Sequence, residues 1–439
     1  MYDVSVIKYE APSESLRKAV DLVNGLEGVS STTKVFVKPN FCQWYDKVRF
    51  PKYGVITTAR LIEDVVVLLK ERGVEDITML EGAVEVEKTP ESTVQLVAAG
   101  MGLDLLTKRY GVKVLDVMRE EFSRVTAGDL NLSVNKDILG ADFVINMPVL
   151  KTHSQTMVSL GIKNLKGLLS IPSRKRCHDP KDGIDLNHRL ARLPEVVWPD
   201  LTVLDGIYTL ERGPLITGRA HLTNLIIASK DIVSADKVGS TILGIDPRTV
   251  PHLVLAAGNC GRPADLSDVR LVGETDIASV TVKHEWEFEQ NATGDLPAFF
   301  EKAGVKGITY PQADNTMCTY CADFIYYVIW GVLMSRNRDE PFDDIEVLHG
   351  KTLDPQGGHK HTLLVGQCQV KRNSDNPKIN HCVKIRGCPP SKKDLVAAYR
   401  ELGIMLPDNF LAWMARIPEN HMRKYQDSPE FDESFYVVK

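Results

Sequence analysis

The feature that most constrains this chain is an alternation. Over residues 1–262, short runs rich in Val, Ile and Leu take turns with stretches of helical apolar period. VSVIKY, KVFVKPN, DITML, VKVLDV, ADFVINMP, LTVLDGI and NLIIAS read as strands. SESLRKAVDLVNGLEG and TTARLIEDVVVLLKERG read as helices, each with a Ser or Thr cap and a closing glycine. Strands that alternate with helices imply right-handed βαβ units. Their near-continuous apolar character implies a sheet covered on both faces. The expected fold class is therefore α/β, a doubly wound and mostly parallel sheet.

Beyond residue 262 the pattern changes. Apolar runs shorten, and polar loops such as SRNRDEPFDD and DPQGGHKH appear. Helices are predicted at TYCADFIYYVIWGVLMSR and at SKKDLVAAYRELG, where Ser391 can cap and Asp394 suits the helix dipole. The expected division is an α/β domain over 1–262 and a C-terminal α+β module over 263–439.

In open parallel sheets, ligands bind outside the carboxyl ends of the strands. Those ends carry Lys38 and Asn40, Glu81, Asn146, Lys151 and His153, and Asp205. The densest polar stretch is MPVLKTHSQTMVSLGIKNLKGLLS, with Lys151, His153, Lys163, Asn164 and Lys166. Lysines among small and apolar residues suit a small anion, because the ammonium acts as a point charge and glycine permits close backbone approach. Neither G-x-x-x-x-G-K-[ST] nor G-x-G-x-x-G occurs, which disfavours a P-loop or a dinucleotide fingerprint. Lys38, Asn40, Lys151, Asn164 and Lys166 are the expected binding groups. His153, Lys163, Glu81 and Asp205 are the expected catalytic groups.

The net charge is −5, from 53 basic and 58 acidic residues, which argues against a dedicated nucleic-acid binder. No run approaches the roughly 18–20 apolar residues of a membrane-spanning helix. The opening MYDVSVIKYEAP does not read as a signal peptide, so a cytoplasmic location is expected.

Eight cysteines are unevenly placed, and Cys318, Cys321, Cys368, Cys382 and Cys388 crowd into the last third. Cys318 and Cys321 form a CxxC at the start of a predicted helix. Cys368 lies in GQC and Cys388 in RGCPP. Four cysteines in three loops match the count for a [4Fe–4S] cluster or a four-cysteine zinc site. A single close pair and a proline after the last ligand favour the cluster. Cys382 and His381 are reserve ligands. The order CxxC, GxC, GCPP resembles the proximal-cluster site in the small subunit of nickel–iron hydrogenases and in the related quinone-reductase subunit.

VKPN, an LEG after the next strand, ADFVINMPVLKTH, GIKNLKGLL, LDGI, RGP and ASKDIVSADKVG occur in that order. This series resembles the domain-of-unknown-function family numbered 362 over roughly residues 30–260. The resemblance implies an α/β fold and a link to iron–sulfur redox chemistry. A fainter resemblance is to the N-terminal domain of lactate racemases that use a nickel pincer nucleotide. There a histidine and a cofactor-bearing lysine stand as far apart as His153 and Lys163 do here. That family's other histidine motif is not matched, since the strand end here reads LEGAVE.

The combined expectation is an iron–sulfur redox enzyme acting on a small anionic molecule, with a redox protein as possible partner. The competing expectations are a non-catalytic electron carrier or metalloenzyme maturation factor, and a metal-dependent isomerase or lyase.

Overall fold

The computed structural model describes residues 1–83, 91–128 and 130–439. The chain divides into two units. The larger holds residues 1–177, 187–287 and 418–439, and the smaller holds 178–186 and 288–417. The division therefore falls later than residue 262. Residues 263–287 stay with the larger unit, because Val269–Gly273 pairs in parallel with Tyr2–Lys8. Residues 418–439 also return to it.

The larger unit's strands are β1 (Tyr2–Lys8), β2 (Val35–Lys38), β3 (Ile77–Glu81), β4 (Lys113–Asp116), β5 (Phe122–Ala127) and β6 (Leu130–Asn135). They continue with β7 (Phe143–Asn146), β8 (Val149–His153), β9 (Met157–Ser159), β10 (Leu201–Glu211), β11 (Arg219–Ser229) and β12 (Val269–Gly273). The main sheet runs β12-β1-β11-β10-β7-β2-β3-β4, with β8 and β9 attached through β10, while β5 and β6 pair separately. From β10 through β7, β2 and β3 to β4 every pairing is parallel. In β2, β3 and β7 every residue is buried. Helices on both faces leave no solvated side to take polar residues. The doubly wound expectation is borne out. The sequence runs LTVLDGI and NLIIAS, however, form an antiparallel hairpin, β10 against β11.

The chain leaves β2 for β3 and β4, then returns to place β7 on the other side of β2. Strand order thus reverses between β2 and β7, the point where open α/β sheets hold ligands. Lys38 and Asn146 are direct register partners there. The helix Ala59–Glu71 follows β2; Thr58 caps it by accepting from Leu61 N. Its buried Leu61, Ile62, Val65, Val66 and Leu69 join one core with Val35, Val37, Ile77 and Ile145.

Residues 418–439 complete this core. Tyr53 packs against Tyr208, Tyr425, Phe431 and Tyr436. The hydroxyls of Tyr53 and Tyr208 donate to Phe431 O and Glu430 O at 2.8 and 2.9 Å. Buried phenols hold such partners because an unpaired hydroxyl in an apolar core is costly.

The smaller unit carries β13 (Ile308–Thr309), β14 (Ile345–Leu348), β15 (His361–Val365) and β16 (His381–Ile385). They lie side by side in chain order and are all parallel. Helix Thr319–Leu333 follows β13, Gly366–Asn373 follows β15 and Lys392–Glu401 follows β16. This unit is thus also α/β, where α+β was expected. Its core joins Phe324, Val328 and Val332 to Val347, Leu363, Ile385 and Tyr399.

Candidate functional site

In the larger unit, the strand-end residues form one hydrogen-bonded network. Lys38 ends β2 with its side chain 1% exposed. Its Nζ donates to Glu81 Oε2 and Pro39 O, both at 3.0 Å, and to Asn164 Oδ1 at 3.2 Å. Glu81 ends β3 and also accepts from Phe41 N at 3.1 Å and Gly82 N at 2.7 Å. Asn164 Nδ2 donates to Asn146 Oδ1 at 2.8 Å, and Asn146 Nδ2 donates to Gly161 O at 3.1 Å. Lys151 Nζ donates to Val55 O at 2.7 Å, Asn40 Oδ1 at 2.8 Å and Cys42 Sγ at 3.7 Å. Asn40 Nδ2 closes the circuit on Asn164 Oδ1 at 3.3 Å. Burial holds Lys38 and Lys151 below their ordinary values, with Glu81 opposing the shift at Lys38.

This geometry sorts the predicted residues. Lys38 and Lys151 are buried and already engaged by protein oxygens, so they brace the strand ends rather than present charge to a ligand. Lys163, Lys166 and Asn40 are half-buried. Lys163 Nζ has no hydrogen-bond or ion-pair partner among the described residues. Its amine lies well below the usual lysine value because of burial, then the nearby Lys166 and Lys151. His153 is buried on β8, and its Nδ1 accepts from Gln155 N at 3.1 Å.

Asp205 does not join this network. Its oxygens accept from Thr58 N at 2.7 Å and Ile207 N at 3.1 Å, which ties β10 to the start of a helix. Burial pushes its carboxyl up to about 6 despite those donors. Asp236 likewise accepts from Gly161 N and Ile162 N at 2.7 and 2.8 Å, anchoring the turn that carries Lys163. Burial pushes it up to about 7. Val84 and Glu85 of LEGAVE lie outside the described residues.

Gly167 lets the backbone pass directly over the ion pair. A Cβ there would sit 2.4 Å from Glu81 Oε1 and 2.7 Å from Lys38 Nζ. Gly167→Ala is expected to cost about 1–3 kcal/mol through overpacking of a buried pair that has nowhere to retreat. Gly140→Ala, with nothing within 4 Å of its added methyl, is the control. Urea midpoints of the two variants check this, and equal midpoints would refute the close approach.

Two residues near the lysines carried no sequence signal. Cys42 donates to Val55 O at 3.4 Å and touches Lys151. His252 lies in the ordinary-looking helix Pro251–Asn259. It is 0% exposed, and neither ring nitrogen has a hydrogen-bond partner. Burial, then the charge of Lys163, lowers it to about 3. A folded value depressed below the unfolded one gives stability that is complete above about pH 6.5 and is lost as pH falls toward 3. His252→Leu is therefore expected to lessen the acid sensitivity of folding, by about 4 kcal/mol across that window. Urea unfolding at several pH values measures it, and parallel wild-type and variant profiles would contradict it.

In the smaller unit, the sulfur-bearing residues gather at the carboxyl ends of the parallel strands. Cys368 follows β15 in the first turn of Gly366–Asn373, and Cys388 follows β16. Cys318 stands at the N-cap of Thr319–Leu333, and Cys321 lies in its first turn. Cys318 and Cys321 are buried, at 7% and 8% exposed. A hydrogen bond from Cys321, aided by the N–H groups of Cys321 and Tyr320, pulls Cys318 down to about 5. That pairing, burial and the charges of Cys368 and Cys388 push Cys321 up. Burial raises Cys368, with Lys351 opposing and Cys318 and Cys388 adding to the shift. The four thiols thus lie within electrostatic reach of one another. Gly366, in the left-handed region at φ 85°, brings backbone against them: a Cβ there would lie 3.0 Å from Cys321 Sγ. As the side chains stand, no group of three or more His, Cys, Asp or Glu among the described residues is spaced to hold a metal ion. The donor set itself, four thiols around a backbone left bare by glycine, suits a soft metal centre.

The reserve ligands lie elsewhere. Cys382 and His381 begin β16, at the opposite end of that strand from Cys388. Burial raises Cys382, and the charges acting on it are Lys384, Asp375, Arg386 and Glu401, none of them a cysteine. His381 meets His361 at 2.7 Å and Glu401 at 3.1 Å.

Fold and site together define a protein with a lysine–asparagine network at the switch point of one α/β sheet and a thiol quartet at the strand ends of another. Residues 35–241 match the family model described as a domain of unknown function, DUF362, which bears out the resemblance seen in the sequence. The thylakoid-associated protein sll1697 of Synechocystis sp. is 27% identical over 251 residues, covering 56% of this chain and 74% of that protein. Among solved structures, the lactate racemase apoprotein from Thermoanaerobacterium thermosaccharolyticum aligns over 55% of this chain and 57% of its own. The identity is 14% and the TM-score 0.36. Among the described residues, no helix is long and apolar enough to cross a membrane.

Proposed function

We propose that this chain is a redox protein holding a [4Fe–4S] cluster on Cys318, Cys321, Cys368 and Cys388, with a small-anion site at Lys163 and Lys166 in its larger unit. The observation that carries the reading is the gathering of four thiols from three separate segments at one end of a parallel sheet. Four thiolates are the usual ligand set of such a cluster, and cluster potentials respond to charge and solvent exposure. Lys351 lies near enough to Cys318 and Cys368 to stabilise their thiolates. The cluster would supply one-electron transfer. The chain's own residues would bind it and keep water from Cys318 and Cys321. On this reading the protein works in the cytoplasm and exchanges electrons with a separate redox protein. Anaerobic purification, with iron and sulfide determination and electron paramagnetic resonance of the reduced protein, tests it. Iron, acid-labile sulfide and a broad visible absorbance are expected. One zinc per chain, without colour, would replace the cluster with a structural metal site.

A further inference from the structure

We propose that His361 and His381 form a binding site for a divalent metal ion of the zinc, copper and nickel class, at the end of the smaller unit's sheet opposite the thiol quartet. The site is independent of the cluster proposed above.

Its origin is strand register. β15 and β16 run in parallel and begin on these two residues, which are direct partners across the strands. Partners on adjacent strands share a face of the sheet, so the two imidazoles meet. Their Nδ1 atoms stand 2.7 Å apart. The ring centroids are 4.9 Å apart, so both nitrogens lie between the rings, each turned toward the other.

Each outer nitrogen meets a carboxylate. Asp343, which also pairs with Lys360, lies 3.3 Å from His361 Nε2. Glu401 ends the helix that returns from β16, and lies 3.1 Å from His381 Nε2. The order is carboxylate, imidazole, imidazole, carboxylate. An ionised carboxylate only accepts, so each Nε2 supplies the proton of its contact. Both Nδ1 atoms of neutral rings then aim a lone pair at the same point. Two facing lone pairs at this distance repel unless a proton or a metal ion lies between them. Three contacts take three protons, one more than two neutral rings carry, and a metal ion replaces the third.

A carboxylate on the far nitrogen fixes the tautomer and orientation of a metal-binding histidine and raises its basicity. Here that support occurs on both rings. Imidazole donors suit zinc, copper and nickel, whereas magnesium and calcium prefer oxygen. Tetrahedral zinc, with Zn–N bonds of about 2.0–2.1 Å, needs the two nitrogens about 3.3 Å apart, so the rings must part slightly. The His381 side chain is 45% exposed, against 13% for His361, and has room to do so. Among the described residues no set of three His, Cys, Asp or Glu is spaced to hold a metal ion. The pair is therefore the whole protein ligand set, and water or a small exogenous ligand fills the remaining positions.

Calorimetric titration of Zn²⁺ into the anaerobically purified full-length protein tests the site, with Mg²⁺ as the comparison. One Zn²⁺ per chain is expected beyond any metal already bound, and no Mg²⁺. Affinity should fall at least about tenfold in His361→Gln and in His381→Gln, since each removes one of two ligands, and about 10–100-fold in Glu401→Ala, which removes only the support of an outer nitrogen. Cys388→Ser should keep this zinc. Circular dichroism checks that the variants fold. No zinc uptake by the wild type, or equal affinity in both histidine variants, would overturn the proposal. Zinc uptake lost in Cys388→Ser but kept in the histidine variants belongs to the thiol quartet, and overturns it too. Unchanged affinity in Glu401→Ala would reduce the site to two adventitious surface histidines.

Discussion

Replacing any one of Cys318, Cys321, Cys368 or Cys388 with serine is expected to take bound iron from about four atoms per chain to near zero. Cys382→Ser should leave it unchanged. The contrast follows from strand direction. Cys388 leaves the carboxyl end of β16, where β15 delivers Cys368, while Cys382 enters at the amino end. The charges acting on Cys321 include Cys318, Cys368 and Cys388 but not Cys382. Loss of a cluster should also lower stability, because binding energy present only in the folded state is folding energy. Elemental analysis and visible absorbance of the five anaerobically prepared variants decide the matter. Iron retained in a quartet variant, or lost in Cys382→Ser, would show that the ligand set is wrong.

Glu81→Leu is expected to destabilise the larger unit by about 3–5 kcal/mol, because it strands the Lys38 ammonium in a buried site. Glu81 accepts from Lys38 Nζ, Phe41 N and Gly82 N, so its loss leaves a charge and two N–H groups without their acceptor. Lys38→Met leaves the reverse imbalance, a buried carboxylate that retains two backbone donors, and should cost less than Glu81→Leu. The double variant Lys38→Met with Glu81→Leu should recover a large part of the single losses, since it removes both charges together. Urea denaturation of the four proteins closes the cycle. Additive losses would mean that the two side chains do not act as a pair. The outcome bears on function, because Lys38 of this pair also holds Asn164, the neighbour of Lys163.

Much of the architecture was legible because it depends on local pattern. β2, β3 and β7 are buried along their whole length, so they had to be mostly apolar. The polar residues that stop those runs are the ones that meet at the strand ends. The antiparallel turn of β11 was not legible. Its apolar half, NLIIAS, looks the same whichever way it runs, and the hydrogen-bond partners that set direction lie in β1 and β10. The return of residues 418–439 was hidden for a similar reason. Its aromatics are spaced without helical or strand period, and their meaning comes from Tyr53 and Tyr208, far away along the chain.

The sequence by itself determined the kind of fold, the cysteines that could form a set, and the short stretches where polar chemistry would gather. These follow from periodicity, from spacing and from the rule that parallel strands end at a ligand face. Only the tertiary structure decided which lysines are braces and which is uncommitted. Lys38 meets Glu81 across 43 residues and Asn164 across 126. Such encounters depend on strand order in the sheet, which is chosen by the packing of the whole core and leaves no mark in the local sequence. His252 makes the same point: its helix reads as ordinary, and only the packing of the core leaves its imidazole buried without a hydrogen-bond partner.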